Sequence, residues 1–232
     1  MSLEVWLLAL AVIILIAGAA YWELVLCEGA HLGPRVVAAT YNWVAHRYDT
    51  DIKQFDLATE SAILGLPLAT ALIHVDQARV LDLAAGTGRT ARALLRELAF
   101  DGTVINVDLS RRMLEVGQAT MPEPLRSRTS WLRAPIARLP FDDDAFDAVV
   151  CLGCVIRGET THYEAVAGEC ASGIQAAQLE TGVPIAFGAL TVENLDQALA
   201  RSEGPGGHNV GEDGAKVAVE MARLLGQIRS GA

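Results

Sequence analysis

From Val5 to Trp22 eighteen consecutive positions carry no charge, bounded by Glu4 and Glu23. As a helix, a run of that length crosses the hydrocarbon of a bilayer. Over 34–75 the apolar positions then take helix-like spacing, with Tyr41, Trp43 and Tyr48, which predicts two helices ahead of the first strand. From there short apolar runs alternate with helical ones. Strands are expected at 79–83, 103–107, 129–132, 146–154 and 183–190, and helices at about 90–98, after Ser110 as a cap, from the 157–161 loop to about 179, at 193–200 and at 212–228. Asp101-Gly102 marks a turn, and 202–211 is a Gly-rich loop. Such alternation predicts an α/β fold: a three-layer α/β/α doubly wound parallel sheet, covered on both faces and preceded by an N-terminal transmembrane helix.

Composition narrows the partners. A 52% apolar chain of 232 residues can bury a sizeable core. Its net charge of −10 and lack of a Lys/Arg cluster exclude a nucleic-acid partner and leave small molecules. No Lys or Arg precedes the apolar run, whereas Arg35 and Arg47 follow it. That asymmetry places the main body in the cytoplasm behind a single-pass anchor. The competing readings are a signal peptide, which lacks its basic leading segment here, and a buried N-terminal helix of a cytoplasmic protein. Cys151 and Cys154 form a C-x-x-C pair, but inside an apolar strand rather than at a helix start. With Cys27 and Cys170 they read as buried thiols, and no metal site is expected.

Two constellations carry chemistry. In the first, Asp82-Leu83-Ala84-Ala85-Gly86-Thr87-Gly88 lies where a strand turns into a helix, and Asp108 ends the next strand twenty residues after Gly88. The glycines let backbone approach a ligand, and the second carboxylate is placed to accept from both ribose hydroxyls of an adenosine. A dinucleotide site would want a third glycine near Arg92, and none is there.

Over about 36–152 the sequence resembles class I S-adenosylmethionine-dependent methyltransferases. The residues that carry the likeness are Tyr41-Asn42, Tyr48-Asp49, the Asp82 to Gly88 loop, Asp108 with Ser110, Arg138-Leu139-Pro140-Phe141 and Phe146-Asp147-Ala148-Val149-Val150. The resemblance implies that Asp82, Ala84, Gly86, Thr87 and Gly88 hold the methionine end of S-adenosylmethionine and that Asp108 holds the ribose. Where that family often places an Asp for the adenine amine, this chain has Pro135.

In the second constellation, Gly153-Cys-Val-Ile-Arg-Gly-Glu-Thr-Thr-His162 takes a strand into a loop at a helix start. There backbone N–H groups and the helix dipole favour a phosphate, and the dipole favours a neutral His162 able to move protons. From about Ala148 to Ala222 the chain closely resembles lumazine synthase, through Val166-Ala167-Gly168-Glu169, Gly182 to Gly188, Thr191 to Asn194 and Glu220-Met221-Ala222. That family condenses 5-amino-6-(D-ribitylamino)uracil with 3,4-dihydroxy-2-butanone 4-phosphate in riboflavin biosynthesis, without a cofactor. The resemblance implies that His162 is the proton donor and acceptor and that Gly158, Glu159 and Thr160 cradle the phosphate. It further implies that Cys154, Val155 and Ile156 line the uracil side, and that Phe187 and Arg201 reach the site of a neighbouring subunit in a pentamer. Two departures stand out. The family's Asn-Lys-Gly reads Asn209-Val210-Gly211 here, and its N-terminal half, with part of the uracil pocket, is absent.

The two likenesses meet in one strand, Phe146 to Gly153. The expected organisation is an anchor over 1–26, helices over 27–75, a methyltransferase-like half over 76–153 and a lumazine-synthase-like half over 148–232. Either parentage puts the shared strand beside the first, which gives the order 3-2-1-4-5 and one crevice onto which both loops open. Three functions follow: a lumazine-synthase-like transferase, a membrane-anchored methyltransferase, or a non-catalytic binding or assembly protein.

Overall fold

The computed structural model describes all residues except 1, 27–31, 53–55, 137, 143–144, 205 and 232. Cys27, His31 and two of the three aspartates after Phe141 thus lie outside the described residues. The leading apolar run forms helix α1 (Leu3–Tyr21), which continues into a π-helical turn at Trp22–Leu26. Val5–Leu24 is long and apolar enough to cross a membrane, and none of it is buried against the rest of the chain. Helix α2 (Pro34–Val44) follows, with Pro34 in its first turn, where a missing N–H costs nothing. Short irregular turns then lead through α3 (Leu57–Glu60) to α4 (Leu66–Leu72), so the second expected helix is broken into pieces.

Strands β1 (Arg79–Leu83), β2 (Thr103–Asp108) and β3 (Thr129–Arg133) form a parallel sheet in the order β1-β2-β3. Between them lie α5 (Arg89–Leu94), α6 (Arg111–Thr120) and α7 (Glu123–Arg126). Ser110 caps α6 through its hydroxyl, which accepts from the Met113 N–H at 3.3 Å. The buried cluster of this half joins Ala69, Ala91, Leu94, Leu95, Phe100, Val104 and Met121, so the strands are clamped by helices from both sides of the sequence.

The second half is built on β4 (Val149–Ile156) and β5 (Ile185–Val192), paired in parallel over eight residues. Around them are α8 (His162–Thr181), α9 (Leu195–Leu199) and α10 (Val210–Ser230). Asn194 and Asn209 cap α9 and α10, accepting from Gln197 N–H at 2.9 Å and Glu212 N–H at 3.0 Å. Helix α10 buries only small residues, Gly214, Ala215 and Ala218. A Cβ at Gly214 would stand 3.6 Å from the Gly188 Cα, so the helix lies almost on the strand backbone.

One expectation is corrected. Among the described residues the strands do not form a single sheet of order 3-2-1-4-5: β1-β2-β3 and β4-β5 are separate sheets, and β1 and β4 are not hydrogen-bonded to each other. The reason lies in the covering helices. Parallel strands are stable where both faces are covered, and α10, which covers one face of β4 and β5, also packs on α4 of the other half. Arg223 Nη2 donates to the His74 carbonyl at 2.7 Å in that contact. The halves meet through α4 and α10, and the two loops stand on different sheets.

Candidate functional site

The glycine loop is built by strained but fully specified backbone. Leaving β1, Ala84 takes φ 57°, Gly86 φ 55° and Gly88 φ 71°. At Gly88 no other residue fits, since a Cβ would lie 2.4 Å from the Trp131 ring as well as in the left-handed region. Around Gly86, by contrast, a Cβ would meet nothing within 4 Å, so the loop faces open space there.

Two carboxylates organise the space. Asp108 accepts from the Gly86 N–H through Oδ2 at 2.9 Å and from the Ser110 N–H through Oδ1 at 2.7 Å. It therefore ties the loop to the start of α6, with lone pairs left on both oxygens. Asp82 is part-exposed as a residue, yet its Oδ2 is shut off from solvent and has no hydrogen-bond partner. Burial pushes its carboxyl up to about 6, against the opposing pull of a Thr90 hydrogen bond, and the Asp108 charge adds to the rise. A buried acceptor without a partner is completed by a cationic donor that reaches it.

The residues before β1 enter this site, which the sequence pattern did not assign. Asn42 Oδ1 accepts from Ser110 Oγ and from the Arg112 N–H, both at 2.9 Å. Asp49 accepts from Thr87 Oγ1 at 2.6 Å and from Arg92 Nη2 at 3.1 Å. Glu60 Oε1 takes Arg89 Nε at 2.7 Å. The signal available in sequence was Arg92 itself: a cation inside the apolar face of a helix, which is stable only if paired. Pro135, where the adenine contact would fall, is exposed.

The second site is open. β4 delivers Cys154, Val155 and Ile156 to a turn, and Gly158, Glu159, Thr160 and His162 are all exposed at the start of the twenty-residue α8. The His162 N–H is 3.4 Å from Thr160 Oγ1. Arg157 holds the turn from below. Its Nε pairs with Glu193 at 2.7 Å, its Nη1 with Glu164, and its guanidinium stacks 4.2 Å from the Tyr163 ring centre. The Arg157 N–H continues the ladder onto the Val192 carbonyl at 2.8 Å, so the turn starts where β5 also ends.

Phe187 and Arg201 are not brought to that turn. Phe187 pairs with Cys151, five positions before Ile156, or about 16 Å along the strand. Arg201 Nη1 donates to the Gln197 carbonyl of α9. The cysteines also differ from expectation: Cys154 is exposed and Cys151 and Cys170 are half-buried. Three positions apart in a strand, Cys151 and Cys154 point to opposite faces and cannot act as a pair. No group of three or more metal-ligating side chains occurs among the described residues.

Two family models match the chain, and the second site falls within both. Residues 80–175 match the family model of a methyltransferase domain. Residues 134–226 match that of 6,7-dimethyl-8-ribityllumazine synthase. The two matches overlap over 134–175, which takes in β4, the turn after it and the first part of α8. Among individual relatives, the chain is 54% identical over 85 residues to the lumazine synthase of Synechococcus elongatus, covering 37% of this chain and 46% of the relative. It is 56% identical over 80 residues to the chloroplastic lumazine synthase of Arabidopsis thaliana, covering 34% and 35%. The chain thus spans less than half the length of these curated relatives. It resembles a lumazine synthase in its C-terminal part and a methyltransferase domain ahead of it.

Proposed function

We propose that the chain is a lumazine-synthase-like transferase of riboflavin biosynthesis, acting on 5-amino-6-(D-ribitylamino)uracil and 3,4-dihydroxy-2-butanone 4-phosphate. The observation that carries this reading is the β4-turn-α8 unit, which falls within the matched region and ends with His162 in the first turn of a long helix. Gly158, Glu159 and Thr160 would cradle the phosphate at that helix start, where N–H groups and the dipole favour an anion. His162 would move protons during imine formation, phosphate loss and ring closure, without a cofactor. Cys154, Val155 and Ile156 would line the uracil side.

Phe187 and Arg201 would act on the turn of a second copy, in a pentamer-type homo-oligomer. The exposed apolar side chains Leu152, Phe187, Leu179, Val217 and Leu224 support such contacts. Because the match covers less than half of the relatives' length, the uracil side would have to be completed by other residues, and turnover should be slow. The test is lumazine formation by the full chain, followed by absorbance, with His162→Ala as the control.

A second reading is favoured by one observation, the buried and unpartnered Asp82 Oδ2 near the end of β1, just ahead of the glycine loop. In it, the half over 76–153 binds S-adenosylmethionine: Asp82, Ala84, Gly86, Thr87 and Gly88 hold the methionine end and Asp108 the ribose, and the bound group supplies a transferable methyl. Calorimetric titration with S-adenosylmethionine tests it. In both readings α1 would anchor the body to a membrane from the cytoplasmic side. Absence of both turnover and binding would leave a non-catalytic assembly protein.

A further inference from the structure

Thr87 is 1% exposed and is gripped at two atoms by groups that lie on different elements. Its hydroxyl donates to Asp49 Oδ1 at 2.6 Å, and its carbonyl accepts from Arg92 Nη1 at 3.2 Å. The grip closes into a ring, because Arg92 Nη2 returns to Asp49 Oδ2 at 3.1 Å. The Arg92 side chain is only 8% exposed and Glu60 4%, and Glu60 Oε1 stands 3.9 Å from Arg92 Nη2. Two carboxylates therefore neutralise a buried guanidinium whose other branch holds the loop.

The segment that supplies Asp49 and Glu60 lies ahead of residues 80–175, which match the methyltransferase model, although Tyr48-Asp49 is among the residues that carry the resemblance in the sequence. Asp49 sits in the turn Tyr48–Ile52, just after the α2 helix whose Asn42 fixes the start of α6. The segment thus fastens both walls of the open space at Gly86: the loop through Asp49, and α6 through Asn42.

We infer that Asp49 is a positioning residue for the glycine loop, setting the Thr87 to Gly88 backbone from outside the matched domain so that the loop can receive the charged, amino-acid end of a nucleoside ligand. The inference rests on the S-adenosylmethionine reading for the ligand, but the clamp itself has a ligand-free readout. Charge-assisted bonds to a carboxylate are the strong class, and their loss frees the loop without removing the sheet beneath it.

The experiment uses the full chain and Asp49→Asn, Thr87→Val and Thr87→Ser. Amide hydrogen exchange in the free protein should accelerate at Thr87 and Gly88 by roughly tenfold or more in Asp49→Asn and Thr87→Val, while β2 amides stay unchanged. Thr87→Ser, which keeps the hydroxyl, should restore protection. Calorimetry should then show S-adenosylmethionine weakened by roughly tenfold, with adenosine, which lacks the amino-acid end, unaffected. Unchanged loop exchange in Asp49→Asn overturns the inference. So does an equal loss of protection in the loop and β2, or an equal loss of both ligands, since these would mark a merely structural residue. If the unaltered chain binds no S-adenosylmethionine, the ligand reading fails and the exchange data still decide the clamp.

Discussion

Replacing Asp82 with Asn should remove a contribution to stability that the native protein loses as pH rises from about 4 to about 6. Burial holds the Asp82 carboxyl at about 6, above its ordinary 3.8. Between those values the folded chain binds more protons than the unfolded one, so stability falls as pH rises and is flat above about 6. The full difference is worth about 3 kcal/mol at 1.36 kcal/mol per unit, of which roughly 2 kcal/mol develops between pH 4 and pH 7. Asn carries no charge and keeps an acceptor for Thr90, but its amide N–H₂ takes the unpartnered place of Oδ2, at a penalty of about 1–3 kcal/mol. That penalty does not vary with pH, so the slope isolates the charge. Urea unfolding of both proteins at a series of pH values should show the variant gaining on the native chain by roughly 2 kcal/mol from pH 4 to pH 7. Parallel pH profiles for the two would refute the reasoning, because Asp82 would then be ionised without strain. The same substitution should weaken S-adenosylmethionine, as the buried acceptor for its amino group is gone.

Gly88→Ala should destabilise the chain by about 3 kcal/mol, the sum of a left-handed alanine and overpacking against Trp131; thermal unfolding measures it, and a loss below about 0.5 kcal/mol would show that the ring moves aside freely. Asp108→Ala removes an acceptor of two backbone N–H groups and should weaken S-adenosylmethionine by roughly 10- to 100-fold in calorimetry. Asp108→Asn, which keeps one acceptor, should lose less.

The element order was legible because its signals are local. The alternation of short apolar runs with helical spacing places β1 through β5, and Ser110 reads as a cap from its position alone. Asn194 and Asn209 entered only as family pattern residues, yet each caps a helix. What sequence could not show was pairing across the seam. The strand over 149–156 suits either parent, and nothing local says that α10 will pack on α4 or that β1 and β4 will stay unpaired. The same limit hid the Asp49 clamp: Arg92 calls for a partner, but nothing local says that the partner lies 43 positions away, or that Thr87, 38 positions away, joins it. The glycine loop was readable for the opposite reason: its glycines, its strand and its following carboxylate lie within one short stretch. Burial of the cysteines was misjudged because β4 lies at the open edge of a two-stranded sheet, where a thiol such as Cys154 meets solvent.

The measurement that bears most directly on the proposed function is the rate of lumazine formation by the purified full chain with both substrates, beside that of His162→Ala. A positioned general acid and base contributes about 10²–10⁴-fold. The expected result is slow turnover by the native chain and at least a hundredfold less in the variant. Equal rates in the two proteins, or no product from the native chain at any substrate concentration, would contradict a catalytic role for the turn at the start of α8.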